Sequence, residues 1–155
     1  MQRFHGCALR RGRVSQVGQV YLVTAVTTNR RCYFADFANG SLLARSLYDA
    51  DQQRWTTTHA YVVMPDHFHW LFELMDVLPL SEVIQRVKGG SAHALNQRLL
   101  QSDRIWQKGY HEHAMRDDED VLHAARYVVM NPLRAGLVQK VGEWPFWDSS
   151  FLSLA

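Results

Sequence analysis

Two runs of β-forming residues meet at a two-residue break, and this constrains the fold more than any other feature. Thr57–Met64 (TTHAYVVM) and His67–Leu74 (HFHWLFEL) are rich in β-branched and aromatic side chains, and only Pro65-Asp66 lies between them. Such runs read as strands and such a dipeptide as a turn. A connection this short joins antiparallel neighbours, so the chain is committed to a central hairpin. Gln19–Thr27 (QVYLVTAVT) reads as a further strand, and Glu112–Met115 as a short one.

Helical patterns fall between these strands. Leu42, Leu43, Leu47 and Ala50 predict a helix over Leu42–Arg54, entered near Asn39-Gly40-Ser41. Ser81 is placed to cap a second, with Val83, Ile84 and Val87 on one side. Gly89-Gly90 is expected to weaken or bend it before Ala92–Leu100 continues. Asp117-Asp118-Glu119-Asp120 opens a third, where acids suit the helix dipole. Its apolar stripe is Val121, Leu122, Ala125 and Val128, and Asn131-Pro132 stops it. Trp144, Pro145, Phe146 and Trp147 are expected to cover an open face of the core.

The order is that of an α+β, ferredoxin-like (RRM-like) antiparallel sheet with helices on one face and an added C-terminal helix. The other face is left for a site. With 155 residues, 47% apolar and 21% charged, the chain has the size and composition of one ordinary domain that folds without staples. We divide it into a basic arm over 1–17 and a core over 18–150. Two cysteines, Cys7 and Cys32, make no disulfide framework. No apolar run reaches the length of a membrane span, and no signal core follows the first arginines, so a cytoplasmic protein is expected. The net charge of +2 is uneven. Residues 1–35 hold six arginines and no acid, leaving 11 basic and 15 acidic residues beyond them. A basic arm on a slightly acidic body points to an anionic partner, or to a solvated tail.

Two sets of residues carry chemistry. His67 and His69 alternate along one strand, so both imidazoles face the same way, as metal ligands or as polar residues on an open sheet face. His123, Tyr127 and Asn131 repeat at four-residue spacing and share a helical face away from the apolar stripe. A tyrosine can attack a phosphodiester, and a divalent metal offsets the scarcity of phenolate at neutral pH. Asn131 offers an oxygen as a third ligand, and mixed N/O ligation fits Mg²⁺ or Mn²⁺. His111 and His113 form a second His-x-His pair, open to reading as metal ligands or as structural residues. A hydrolase in which water attacks, and a non-catalytic nucleic-acid module, remain alternatives on these residues alone.

Four segments carry a family resemblance over roughly residues 9–150. Val62–Leu71 (VVMPDHFHWL) resembles the His-hydrophobic-His strand of single-tyrosine HUH transposases. Trp106–His113 with Arg116 resembles the segment before their catalytic helix. Arg126–Val138 (RYVVMNPLRAGLV) resembles the helix of the nucleophilic tyrosine with its Tyr-x-x-x-Asn-Pro ending. Leu9–Ser15 with Gly18 is similar to the arm of the REP-associated branch, although Val17 stands where that branch often has proline, and Asp66 where many relatives have asparagine. The resemblance implies a divalent metal on His67, His69 and Asn131, and Tyr127 as the nucleophile that forms a 5′-phosphotyrosine and frees a 3′-hydroxyl. It implies single-stranded DNA hairpins, repetitive extragenic palindromes, beside a guide sequence read by Arg10, Arg11, Arg13 and Ser15. It also implies a monomer, although relatives with longer elements are dimers with exchanged helices. DNA binding needs cations and stacking faces, and Lys88, Trp106 and Lys108 are the further candidates.

Overall fold

The computed structural model describes residues 15–151. Strand β1 (Val20–Val26) leads through two short 3-10 turns to α1 (Phe37–Gln52). The central hairpin β2 (Thr56–Met64) and β3 (His67–Leu74) follows, then α2 (Leu80–Leu99), β4 (His111–Ala114), α3 (Asp118–Val129), α4 (Asn131–Arg134) and β5 (Trp147–Ser149). The sheet order is β4-β1-β3-β2-β5, antiparallel at every pairing. Its first four strands have the ferredoxin-like order expected. Among the described residues no helix is long and apolar enough to cross a membrane.

Alternation along the strands divides the core into two layers. Phe68, Trp70, Phe72 and Leu74 of β3 join Val23 and Ala25 of β1 against Leu43, Leu47, Val83, Ile84 and Val87 of α1 and α2. Leu71, Leu22, Ala60 and Val62 face the other way, against Val121, Ala124, Ala125 and Val128 of α3. The second face, expected from the sequence to be left open, is covered in part: α3 lies across its β2–β3 part. An amphipathic helix has to bury its apolar stripe, and the sheet face of Leu22, Ala60, Val62 and Leu71 is the apolar surface it meets. His67 and His69, at odd positions of β3, fall on the same side as α3.

Several expected boundaries move for identifiable reasons. Helix α1 begins at Phe37, five residues early, because Asp36 caps it by accepting from the Asn39 amide at 3.1 Å. Gly40 is thus interior to the helix. A Cβ there would clash with the ring of Phe146, so the tail packs onto α1 only because that position is bare. Helix α2 runs unbroken through Gly89-Gly90, since its buried stripe on either side outweighs the propensity cost of two glycines. Trp147 belongs to a fifth strand that pairs with β2. Phe146 fills the α1 side of the core, and Trp144 packs on the α3 side. Gly18, at φ +81°, makes the turn into β1 and donates its N–H to Leu74 at 2.8 Å.

Gly40→Ala tests the tail contact. Helix propensity alone would stabilise by about 1 kcal/mol, but overpacking against a buried ring costs about 1–3 kcal/mol. We expect a net loss of stability in urea unfolding, and a gain when the same change is made in a Phe146→Ala background.

Candidate active site

The turn before His67 is tied down from below. Thr27 donates its N–H and its hydroxyl to the Asp66 carbonyl, at 2.9 and 3.1 Å, and Phe34 donates its N–H to Pro65 at 3.0 Å. The loop that makes these contacts carries Asn29 and Arg30 in the left-handed region, at φ +55° and +52°. Arg30 is thereby turned toward the hairpin, and its Nε donates to Asp66 Oδ2 at 3.0 Å. The other oxygen, Oδ1, accepts from His67 Nδ1 at 2.7 Å. Partial burial works to raise the Asp66 carboxyl. The His67 hydrogen bond and charge, then Arg30, outweigh it and hold the group below its usual value. A carboxylate only accepts, so His67 presents an N–H at Nδ1.

His69 is buried, 8% exposed. Its Nδ1 lies 2.7 Å from the hydroxyl of Thr24, its register partner on β1. Burial first, then the charges of His67 and Arg134, push its pKa down to about 3. The imidazole is neutral across the physiological range, the form a metal requires. The two rings stand 4.9 Å apart between centroids. Imidazoles on one ion, with bonds of about 2 Å, keep their centroids within about 6–7 Å, so this spacing fits a shared ion. Among the described residues no group of three or more His, Cys, Asp or Glu is placed to hold a metal. The candidate donors named from the sequence, two imidazoles and the Asn131 amide, lie outside such a group.

Helix α3 brings the third part. Asp117 caps it by accepting from the Asp120 amide at 2.8 Å, and three acids fill its first turn. With its apolar stripe buried, Tyr127 emerges half-exposed, its ring edge-on to His69 at 5.5 Å. The helix ends at Val129, and Asn131 opens α4. The Asn131 amide nitrogen donates to the Tyr127 carbonyl at 2.8 Å, which leaves Oδ1 as its atom for a ligand. Arg134 donates to the same carbonyl at 2.6 Å, and its guanidinium carbon lies 4.4 Å from the centre of the Tyr127 ring. His123 is on the solvent side, 3.9 Å from Glu119, and takes no part.

The sequence pattern of IS200-like transposases matches residues 16–131. The chain is 30% identical over 146 residues to a Haemophilus influenzae protein provisionally classed as a REP-associated tyrosine transposase, covering 86% of this chain and 80% of that one. It is 28% identical over 130 residues to the REP-associated tyrosine transposase of Escherichia coli, covering 83% and 75%. A solved REP-associated tyrosine transposase, bound to a REP hairpin, superposes with a TM-score of 0.74 at 27% identity, over 87% of this chain and 79% of that chain. The chain belongs to the IS200-like transposase family, in its REP-associated tyrosine branch.

The transposase fold gathers the expected DNA residues unevenly. Arg10, Arg11 and Arg13 lie outside the described residues. Ser15 accepts from the Leu80 N–H at 3.1 Å, so the end of the arm sits at the start of α2. Trp106 does not offer a stacking face, contrary to expectation. It is 5% exposed, stacked on Phe34 at 5.4 Å and edge-on to Phe68 at 5.4 Å, with its Nε1 donating to Ser91. Lys88 holds the loop after it, donating to the carbonyls of Gln107 at 2.8 Å and Gly109 at 2.6 Å. Lys108, on that loop, is exposed. His111 and His113 pair with Thr24 and Leu22 across β1, which puts them on the α3 side of the sheet but outside the His67–His69 pair.

Thr24 and Arg134 are parts of the site that the sequence reading missed. A threonine opposite a histidine becomes visible only once strand register is known. Arg134, seven residues after Tyr127, had a legible signal in its two-turn spacing. The anchoring role of Lys88 is open to test. Lys88→Ala should speed amide hydrogen exchange at Lys108–Tyr110 and cost about 1–3 kcal/mol for the carbonyls left unpaired. Unchanged exchange there would show that the ammonium does not order the loop.

Proposed function

We propose that this transposase cuts single-stranded DNA by transesterification at hairpins of the REP type, with Tyr127 as nucleophile and a divalent cation, Mg²⁺ or Mn²⁺, held by His67, His69 and Asn131. The observation that carries the reading is the edge-on contact between Tyr127 and the buried, neutral His69, made by a helix packed on its own chain's sheet. The solved relative bound to a REP hairpin supports the substrate.

A divalent cation, when bound, polarises a phosphodiester and stabilises charge on its oxygens. The rest follows from the chain's own groups. Asp66 and Thr24 hold the two imidazoles by their Nδ1 atoms, so each turns Nε2 to the site. The Tyr127 oxygen attacks phosphorus and loses its proton. The bond from phosphorus to the 3′ oxygen breaks, and that oxygen takes up a proton as it leaves. The products are a 5′-phosphotyrosine and a free 3′-hydroxyl. Half-exposure of Tyr127 suits a nucleophile that meets a long polymer at the surface. The arm residues Arg10, Arg11, Arg13 and Ser15 are assigned to the guide sequence, and Lys108 to backbone phosphate.

A labelled hairpin with Mn²⁺ tests the chemistry. The wild type is expected to form a covalent protein–DNA adduct and Tyr127→Phe none; cleavage by both without an adduct would make water the nucleophile. The cation site is tested without DNA. Asp66→Ala removes the acceptor that orients His67, and Mn²⁺ affinity by calorimetry should fall about 10- to 100-fold. An unchanged affinity would remove His67 from the ligand set.

A further inference from the structure

We infer that Arg134 is a positioning residue that clamps the Tyr127 ring in place for attack. The inference rests on the tyrosine reading above for its purpose, but not for its geometry.

A half-exposed tyrosine two residues from the end of a helix has few packing restraints on its ring. A nucleophile, in contrast, has to be held in a narrow range of positions, and a misplacement of about 1 Å can cost about 100-fold in rate. The chain supplies a restraint with one side chain. Arg134 bonds the main-chain carbonyl of Tyr127 at 2.6 Å and covers its ring at 4.4 Å. That carbonyl is among the last of α3, which no helical N–H reaches through a full further turn. The guanidinium thus fixes itself on the residue's own backbone and lays a flat cationic face on its ring. His69 meets the ring edge-on at 5.5 Å, so two contacts define where the ring stands.

The Asn131-Pro132 break makes this possible. Met130 keeps right-handed helical angles, and α4 restarts at once with proline in its first turn. The backbone therefore gives two further turns after Tyr127, and residue 134 returns to the same side. Among the described residues no carboxylate lies within ion-pair distance of Arg134, so no ion pair draws the guanidinium off the ring.

Two measurements decide it. The first needs neither metal nor DNA. The Tyr127 ring shifts the ring-proton resonances of His69, and Tyr127→Leu gives their values without it. Arg134→Ala should move those resonances at least half-way to the Tyr127→Leu values, and wild-type positions would overturn the clamp. The second is the single-turnover rate of adduct formation set against hairpin affinity. Arg134→Ala should slow the adduct about 10- to 100-fold while affinity changes by less than about threefold. Arg134→Lys, which keeps the charge but not the planar face, should stay with the slow variant. A lysine variant as fast as wild type would overturn positioning in favour of charge alone. A wild type that forms no adduct would defeat the tyrosine reading, and the resonances of His69 would still judge the clamp.

Discussion

The packing of α3 on the sheet is the interaction on which the site depends. Ala124 and Ala125 are small, so the helix comes close to Ala60, Val62 and Leu71. With the stripe of Val121, Ala125 and Val128 facing the strands, Tyr127 has only one direction left, along the flank of the helix toward β3. Apolar burial of this kind is non-directional by itself. Direction comes from the caps: Asp117 fixes where the helix starts, and the Asn131 and Arg134 contacts on the Tyr127 carbonyl fix where it ends.

Burying His69 beneath such a helix carries an electrostatic cost, which the group avoids by staying uncharged. His69 stays neutral because it is desolvated beside His67 and Arg134. His67 instead meets Asp66, whose charge is shared with Arg30. Arg30 is too exposed for its ion pair with Asp66 to add much stability. The pair's effect is orientation, since it holds the Nδ1–H of His67. The strained turn at Asn29 and Arg30 has the same outcome, because left-handed angles there aim Arg30 back at the hairpin.

Strands and helices were legible where period and composition agreed. The hairpin at Pro65-Asp66 and the strand His67–Leu74 follow from alternation alone, and so does the shared face of His67 and His69. The start of α1 was not legible, because Asn39-Gly40 reads as a loop until Phe146 is known to need the bare glycine. Gly89-Gly90 misled for the opposite reason: local propensity yielded to a buried stripe on both sides. Trp106 looked like a stacking residue because its neighbours Lys108 and Tyr110 are the kind that meet DNA. Only the three-dimensional core, with Phe34 and Phe68 against it, accounts for its ring. Thr24 was invisible because its partner is 45 residues away and is chosen by register.

The proposed ligand set has a chemical consequence of its own. Two imidazoles and an amide oxygen bring no negative charge to a divalent cation. Asp66, bonded to His67, spends its carboxylate on His67 Nδ1 and Arg30. Such a set binds a cation less tightly than a cluster of carboxylates would, and leaves more of its charge for a phosphate. Arg134 covers the Tyr127 ring at 4.4 Å and holds it in place. On that proposal the anionic substrate completes the site, and the half-exposed Tyr127 ring, set between His69 and Arg134, is open to meet it.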